Sequence, residues 1–157
     1  MSIEIERKFL VTSIDFKVEA YKKIYIKQGF LNSNKERVVR VRLTDETGFL
    51  TIKGKSNKTG VSRFEWEKEI SKTEAESLLL LCEKGIIEKH RYLIKSNRHI
   101  YEVDEFLGDN KGLIVAEIEL SSEEEFFNKP QWLSKEVTGS VIYYNSNLSK
   151  HPFKSWK

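Results

Sequence analysis

The strongest constraint on how this 157-residue chain can fold is a two-residue alternation of charged and apolar side chains that runs through most of its length. Successive side chains of a strand point to opposite faces, whereas a helix repeats near 3.6 residues. The alternation predicts strands at Ile3 to Val11, Tyr25 to Leu31, Glu36 to Thr44, Phe49 to Lys55, Val61 to Ser71, Ile86 to Lys95, Arg98 to Phe106 and Leu113 to Ser121. Turn chemistry at Ser33-Asn34, Asp45 to Gly48, Ser56 to Gly60, Ser96-Asn97 and Gly108 to Gly112 makes hairpins of the neighbouring runs, so the pairing is expected to be antiparallel. Helical spacing is clearest over Thr73 to Lys84, where Ala75, Leu78, Leu79 and Cys82 share a face. Ser71 or Thr73 can cap its start, each with a Glu three residues later, and Gly85 permits a stop. A short helix is expected within Asp15 to Lys22, and one or two more in the tail from Glu124 through Leu148. No repeat or linker divides the chain, which reads as one mainly β (α+β) domain over 1–157.

With 39% hydrophobic residues the chain can bury a core, but 32% charged residues must also be placed. The 27 basic and 24 acidic side chains leave a net charge of only +3, which argues against a uniformly basic nucleic-acid surface. Cys82 is the single cysteine, and no charged segment followed by an apolar run opens the sequence, so a cytoplasmic location is expected. The apolar run Leu78 to Cys82 is far too short to span a bilayer, and no membrane association is expected.

Strand by strand, the charges gather on one face. Glu4, Glu6 and Lys8 oppose Ile3, Ile5, Phe9 and Val11, with Arg7 as the exception. Arg40 and Arg42 share a face, as do Lys53 and Lys55, then Glu65, Glu67 and Glu69, then Lys89 and Arg91, Glu102 and Asp104, and Glu117 and Glu119. A flat sheet would show these faces to water. A closed sheet would instead enclose them in a charged, water-filled interior, with the apolar faces outside and covered by helices. Acids two apart on a strand lie about 6 to 7 Å apart and can converge on hard cations, magnesium or manganese above all. The guanidinium forks of Arg40 and Arg42, with Lys8, Lys53 and Lys89, suit phosphate oxygens.

These residues resemble a known family. Glu4-Ile5-Glu6-Arg7-Lys8 is similar to the E-x-E-x-K signature of CYTH proteins, the triphosphate tunnel metalloenzymes. Later blocks resemble the family in order: Arg40-Val41-Arg42, Leu50 to Lys53, Phe64 to Glu67, Glu88 to Tyr92, Val103 to Phe106 and Ala116 to Leu120. The resemblance spans almost the whole chain and is most similar to the bacterial inorganic triphosphatase type. It implies an eight-stranded closed antiparallel β-barrel with a few covering helices, two Mg2+ or Mn2+ ions, and hydrolysis of tripolyphosphate to pyrophosphate and phosphate. Lys8, Arg40, Arg42, Lys53, Lys89 and Arg91 would bind substrate, and Lys89 and Arg91 would also assist catalysis. Glu4, Glu6, Asp104, Glu117 and Glu119 would hold metal, with Glu65 and Glu67 as further tunnel acids. A homodimer is a further expectation from the resemblance. Thiamine triphosphatase, class IV adenylate cyclase and a non-catalytic polyphosphate-binding module are the alternatives, although no block is assignable to adenine. The tail Lys135 to Gly139 with Tyr143-Tyr144-Asn145 also resembles the family, but Ser140 and Ile142 stand where bacterial members often carry charge.

Other groups read as structural. His90, His99 and His151 lack zinc-ligand spacing, and Cys82 reads as a core residue. Tyr92, Tyr101, Trp66 and Trp132 read as packing, and the glycines do not form a nucleotide-binding loop.

Overall fold

The computed structural model describes residues 2–156. Nine strands are present among them: β1 (Ser2–Val11), β2 (Lys22–Asn32), β3 (Arg37–Leu43), β4 (Gly48–Gly54), β5 (Ser62–Ile70), β6 (Ile87–Ser96), β7 (His99–Phe106), β8 (Ile114–Glu119) and β9 (Leu133–Glu136). Eight of them follow the order β5-β4-β3-β2-β6-β7-β8-β1, and a β1–β5 pairing closes the ring, every ladder antiparallel. The five predicted turns all join paired strands. Closure removes the exposed edges of an open sheet.

The ninth strand was not expected. β1 is longer than the ladder it makes with β5: Ser2 to Ile5 pair with β5, while Phe9 and Val11 pair with Glu136 and Leu133 of β9 across a register shift. Leu133–Glu136 of the tail thus form a strand because an unpaired stretch of β1 offers them backbone partners, while the helix expected in the tail is found further on, at Asn145–Leu148. Among the described residues there are three short α-helices, α1 (Phe16–Glu19), α2 (Lys72–Leu79) and α3 (Asn145–Leu148), and three single-turn 3-10 segments. Ser71, rather than Thr73, caps α2 in a reciprocal capping box with Glu74. The helix stops five residues before the predicted Lys84. Leu81 and Cys82 turn tightly onto Leu78 and Leu79, and Glu83 then bonds Phe30 and Ser33 of the barrel, leaving Leu80 and Leu81 exposed.

Two apolar clusters lie on opposite faces of the barrel wall. On the outer face, Phe9, Tyr92, Tyr101, Val103 and Ile118 pack under Phe16 of α1 and under Phe127 and Trp132 of the tail. The packing reading of Tyr92, Tyr101 and Trp132 matches this arrangement. Trp66 differs: it is 41% exposed and stays outside the buried outer cluster. The second cluster, with Phe30, Ile87, Phe106, Leu113, Val115 and Leu148, uses the inward face. Phe30, Ile87, Phe106 and Val115 stand two residues from Gln28, Lys89, Asp104 and Glu117, so all share the interior side of their strands. One end of the bore is therefore filled by hydrocarbon rather than water, with the tail's Leu148 fully buried in it.

Candidate active site in the barrel bore

The charged remainder of the bore is a cavity of about 190 Å³ lined by seven carboxylates and seven cationic side chains. The acids are Glu4 and Glu6 of β1, Glu65 and Glu67 of β5, Glu102 of β7, and Glu117 and Glu119 of β8. The cations are Lys8, Arg40, Arg42, Lys53, Arg63, Lys89 and Arg91. Every predicted binding or metal residue except Asp104 lines this one cavity. Strand periodicity explains the convergence, since closing the sheet turns seven charged faces toward a common axis.

The acids are crowded. Glu6 stands directly opposite Glu119 in the β1–β8 ladder, and Glu102 opposite Glu117 in the β7–β8 ladder. Like charges in cross-strand register repel unless a cation lies between them. Lysines supply part of that compensation: Lys53 Nζ lies 2.8 and 3.0 Å from the two Glu4 carboxylate oxygens, while Lys8 contacts Glu117 and lies 3.4 Å from Glu6. Burial, with Glu117 and Glu4 adding, raises the Glu6 carboxyl to about 8. Burial opposes ionisation of Glu117 too, but Lys8, Arg91 and Lys89 hold it well below the usual carboxylate range. These oxygens are a hard donor set that suits a divalent cation. Among the described residues no three Asp, Glu, His or Cys side chains are gathered as a metal cluster, because the ammonium groups of Lys8 and Lys53 stand among the acids.

The cations on the opposite wall are less satisfied. Arg40 donates to Thr51 at 3.1 Å and lies 3.6 Å from Glu67, while its Nε is buried without a partner. Arg42 donates through Nε to Gln28 Oε1 at 3.0 Å and makes no ion pair among the described residues. Burial together with Arg40 and Arg91 lowers the Arg42 guanidinium to about 9. A buried guanidinium short of anions is a site for one.

Asp104 is placed differently from the sequence expectation. It is 2% exposed on the interior side of β7, next to the apolar end and outside the cavity lining, where both oxygens are taken: Arg91 makes a two-pronged pair at 2.8 and 2.9 Å, and Lys89 approaches to 2.8 Å. Burial favours its neutral form, but Arg91 and Lys89 outweigh that and bring it to about 2. Burial lowers Lys89 to about 7, Asp104 opposing this while Arg91 and Arg42 add to it.

Sequence reasoning missed Arg63, Tyr144, Asn145 and Ser146 as lining residues, and left Glu102 unassigned. Arg63 and Glu102 carry the signal, sharing a strand face with Glu65 and with Asp104. The tail residues are uncharged and reach the bore only through tertiary folding. Cys82, partly buried, contributes nothing to the cavity, and burial pushes its thiol up.

A closed antiparallel barrel with an acid wall facing a guanidinium wall defines a charged β-tunnel domain. The chain belongs to the CYTH family, whose domain model matches residues 2–152. It is 48% identical over 158 residues to an inorganic triphosphatase of Acetivibrio thermocellus, covering 100% of this chain and 99% of the relative. It is 34% identical over 151 residues to an inorganic triphosphatase of Nitrosomonas europaea, covering 93% and 96%. A crystal structure of an inorganic triphosphatase superposes with a TM-score of 0.65 at 30% identity, covering 95% of each chain. Among the described residues no helix is long and apolar enough to cross a membrane.

Proposed function

We propose that this chain is a metal-dependent triphosphatase that hydrolyses inorganic tripolyphosphate to pyrophosphate and orthophosphate. The observation that carries this reading is the division of the bore into crowded carboxylates on one side and under-paired guanidinium groups, Arg40 and Arg42, on the other. Seven basic and seven acidic lining groups give a bore whose formal charges balance. A polyanion alone, or divalent cations alone, would unbalance it; bound together they keep the balance. The two inorganic triphosphatases aligned over 93% or more of the chain point the same way.

Glu4, Glu6, Glu117 and Glu119 are the residues that would hold the metal, Mg2+ or Mn2+. Bound there, the ion neutralises phosphate oxygens and makes water a better nucleophile. A metal on these carboxylates would compete with Lys8 and Lys53, whose ammonium groups line the same cavity and would then be available to phosphate oxygens. Arg40 and Arg42 hold the phosphate chain by charge-assisted hydrogen bonds, with Arg63, Glu65 and Glu67 bordering the same space. Water attacks the terminal phosphorus, its oxygen forming the new P–O bond and its proton passing to solvent, and the bridging P–O bond breaks to release pyrophosphate. Lys89, lowered to about 7, is poised to donate a proton to the departing oxygen, and Arg91 offsets its charge. Asp104 serves here as the anchor that orients Lys89 and Arg91 rather than as a metal ligand. Strands from residue 2 to residue 136 and a tail reaching residue 148 all build the cavity or its closure, so we read the chain as one catalytic unit.

The test is a panel of tripolyphosphate, ATP and thiamine triphosphate with magnesium or manganese, with every phosphorus-containing product resolved. Tripolyphosphate is expected to be the best substrate. Cyclic AMP from ATP would replace this reading with a cyclase, preference for thiamine triphosphate would replace the substrate, and binding of tripolyphosphate without turnover would replace the enzyme with a binding module.

A further inference from the structure

We infer that Asn145, carried into the barrel by the C-terminal tail, is a positioning residue that aims the Lys89 ammonium group at the bore. The inference rests on the triphosphatase reading for its kinetic consequence, but its structural content stands on the hydrogen bonds alone.

Asn145 Oδ1 accepts from Lys89 Nζ at 2.9 Å and from Gln28 Nε2 at 2.8 Å, while Gln28 Oε1 accepts from Arg42 Nε at 3.0 Å. Lysine and arginine can only donate, so the orientation of both amides is fixed by the cations at the two ends. Gln28 must turn its oxygen to Arg42 and hence its NH2 to Asn145, and Asn145 must present oxygen to both. The network has one arrangement.

An ammonium group has three N–H bonds in fixed tetrahedral directions. Lys89 is 1% exposed; among the described residues its ammonium group makes one side-chain hydrogen bond, to Asn145, while Asp104 Oδ2 stands 2.8 Å away as an ion-pair partner. The hydrogen bond to Asn145 fixes one N–H direction and the Asp104 charge restrains the group from a second side, which limits how the remaining N–H bonds face the charged cavity that Lys89 lines. Without Asn145 the group can rotate about its one remaining anchor, and the N–H meant for substrate is no longer held in place. Misplacement of a reacting group by about 1 Å can cost on the order of a hundredfold in rate.

The tail is built to hold Asn145 there. Leu148, three residues on and therefore on the same side of α3, is fully buried in the apolar end of the bore. Just past it, the Ser149 carbonyl packs so closely on Gly85 that a Cβ at that position would come within 1.8 Å of the oxygen. Gly85 also has φ +94°, where only glycine is comfortable. The tail is thus locked to the barrel within four residues after the amide that contacts Lys89.

The experiment compares the wild type with Asn145→Ala and Asn145→Asp, the second keeping an acceptor oxygen for both Lys89 and Gln28. With tripolyphosphate, Asn145→Ala is expected to lower kcat by about ten- to a hundredfold with KM changed by less than about threefold, and Asn145→Asp to recover most of the loss. In parallel, 1H–15N spectra of lysine ammonium groups, recorded without substrate at mildly acid pH, should show a protected Lys89 resonance in the wild type and Asn145→Asp that is lost in Asn145→Ala. An unchanged ammonium resonance in Asn145→Ala would overturn the positioning role whatever the enzyme's substrate. So would unchanged kcat, or equal kinetic loss in both variants. Failure of the wild type to turn over tripolyphosphate would instead remove the triphosphatase reading, while the spectra would still decide whether Asn145 holds Lys89.

Discussion

The inward faces of β2, β6, β7 and β8 carry polar or charged groups over one stretch of the bore and hydrocarbon over the next. Gln28 gives way to Phe30, Lys89 to Ile87, Asp104 to Phe106, and Glu117 to Val115, each exchange two residues along the same strand. The barrel wall is continuous, so geometry alone does not separate the two regions; side-chain chemistry does. The apolar end holds the strands and tail together and excludes water. The charged end holds groups that destabilise one another until ligands arrive. At their boundary lie Asp104, Lys89, Asn145 and Gln28, whose hydrogen bonds gain strength from the low-dielectric plug beside them. Damage to the two ends should therefore register in different measurements.

The largest effect on folding is expected from the apolar end. Leu113→Ala removes a side chain that is 4% exposed and should cost about 2–5 kcal/mol in denaturant unfolding, with kcat retained while the protein stays folded. A loss of turnover in fully folded protein would show that the two regions are not separable. At the charged end, Glu117→Gln keeps volume but loses an anionic donor, and kcat should fall by about two orders of magnitude with the fold intact by circular dichroism. Added metal should restore part of it, and wild-type turnover would remove Glu117 from the site. Arg40→Ala should instead weaken tripolyphosphate affinity by roughly ten- to a hundredfold, leaving metal-dependent turnover at high substrate. A selective loss of kcat would assign Arg40 to the transition state rather than to holding substrate.

The smallest effect concerns the boundary. Asp104 is lowered from its ordinary 3.8 to about 2 in the folded chain, so the unfolded chain binds more protons between those values. Its contribution is fully present above about pH 4 and is lost as pH falls toward 2, amounting to about 2 kcal/mol. Asp104→Asn should flatten that part of the stability profile, measured by denaturant unfolding from about pH 5 to about pH 2. An unchanged slope would mean that Asp104 titrates alike in both states.

The same comparison explains what the sequence could reveal. The eight ring strands are visible because each carries its own two-residue alternation, and the charged residues on one phase of it, including Glu4, Glu6, Lys53 and Glu117, converge once the sheet closes. The apolar end is hidden in the same alternation, since Ile87, Phe106 and Val115 look like ordinary strand residues until the barrel shows which way they point. β9 spans only Leu133–Glu136 and owes its conformation to β1, so no local pattern announces it. Asn145 and Tyr144 reach the bore through tail docking, which depends on Leu148 and on the space at Gly85 rather than on any motif of charge. Asp104 shares the phase of Glu102, but periodicity cannot say that Arg91 and Lys89 already occupy its oxygens.

The most direct test of the central claim, that the charged end takes a triphosphate and divalent metal together, is 31P NMR of tripolyphosphate with the purified protein, before and after rigorous metal removal. The account predicts equal amounts of pyrophosphate and orthophosphate with magnesium or manganese, and turnover abolished by chelation and restored by either ion. No hydrolysis in the presence of metal, or hydrolysis undiminished after its removal, would contradict it.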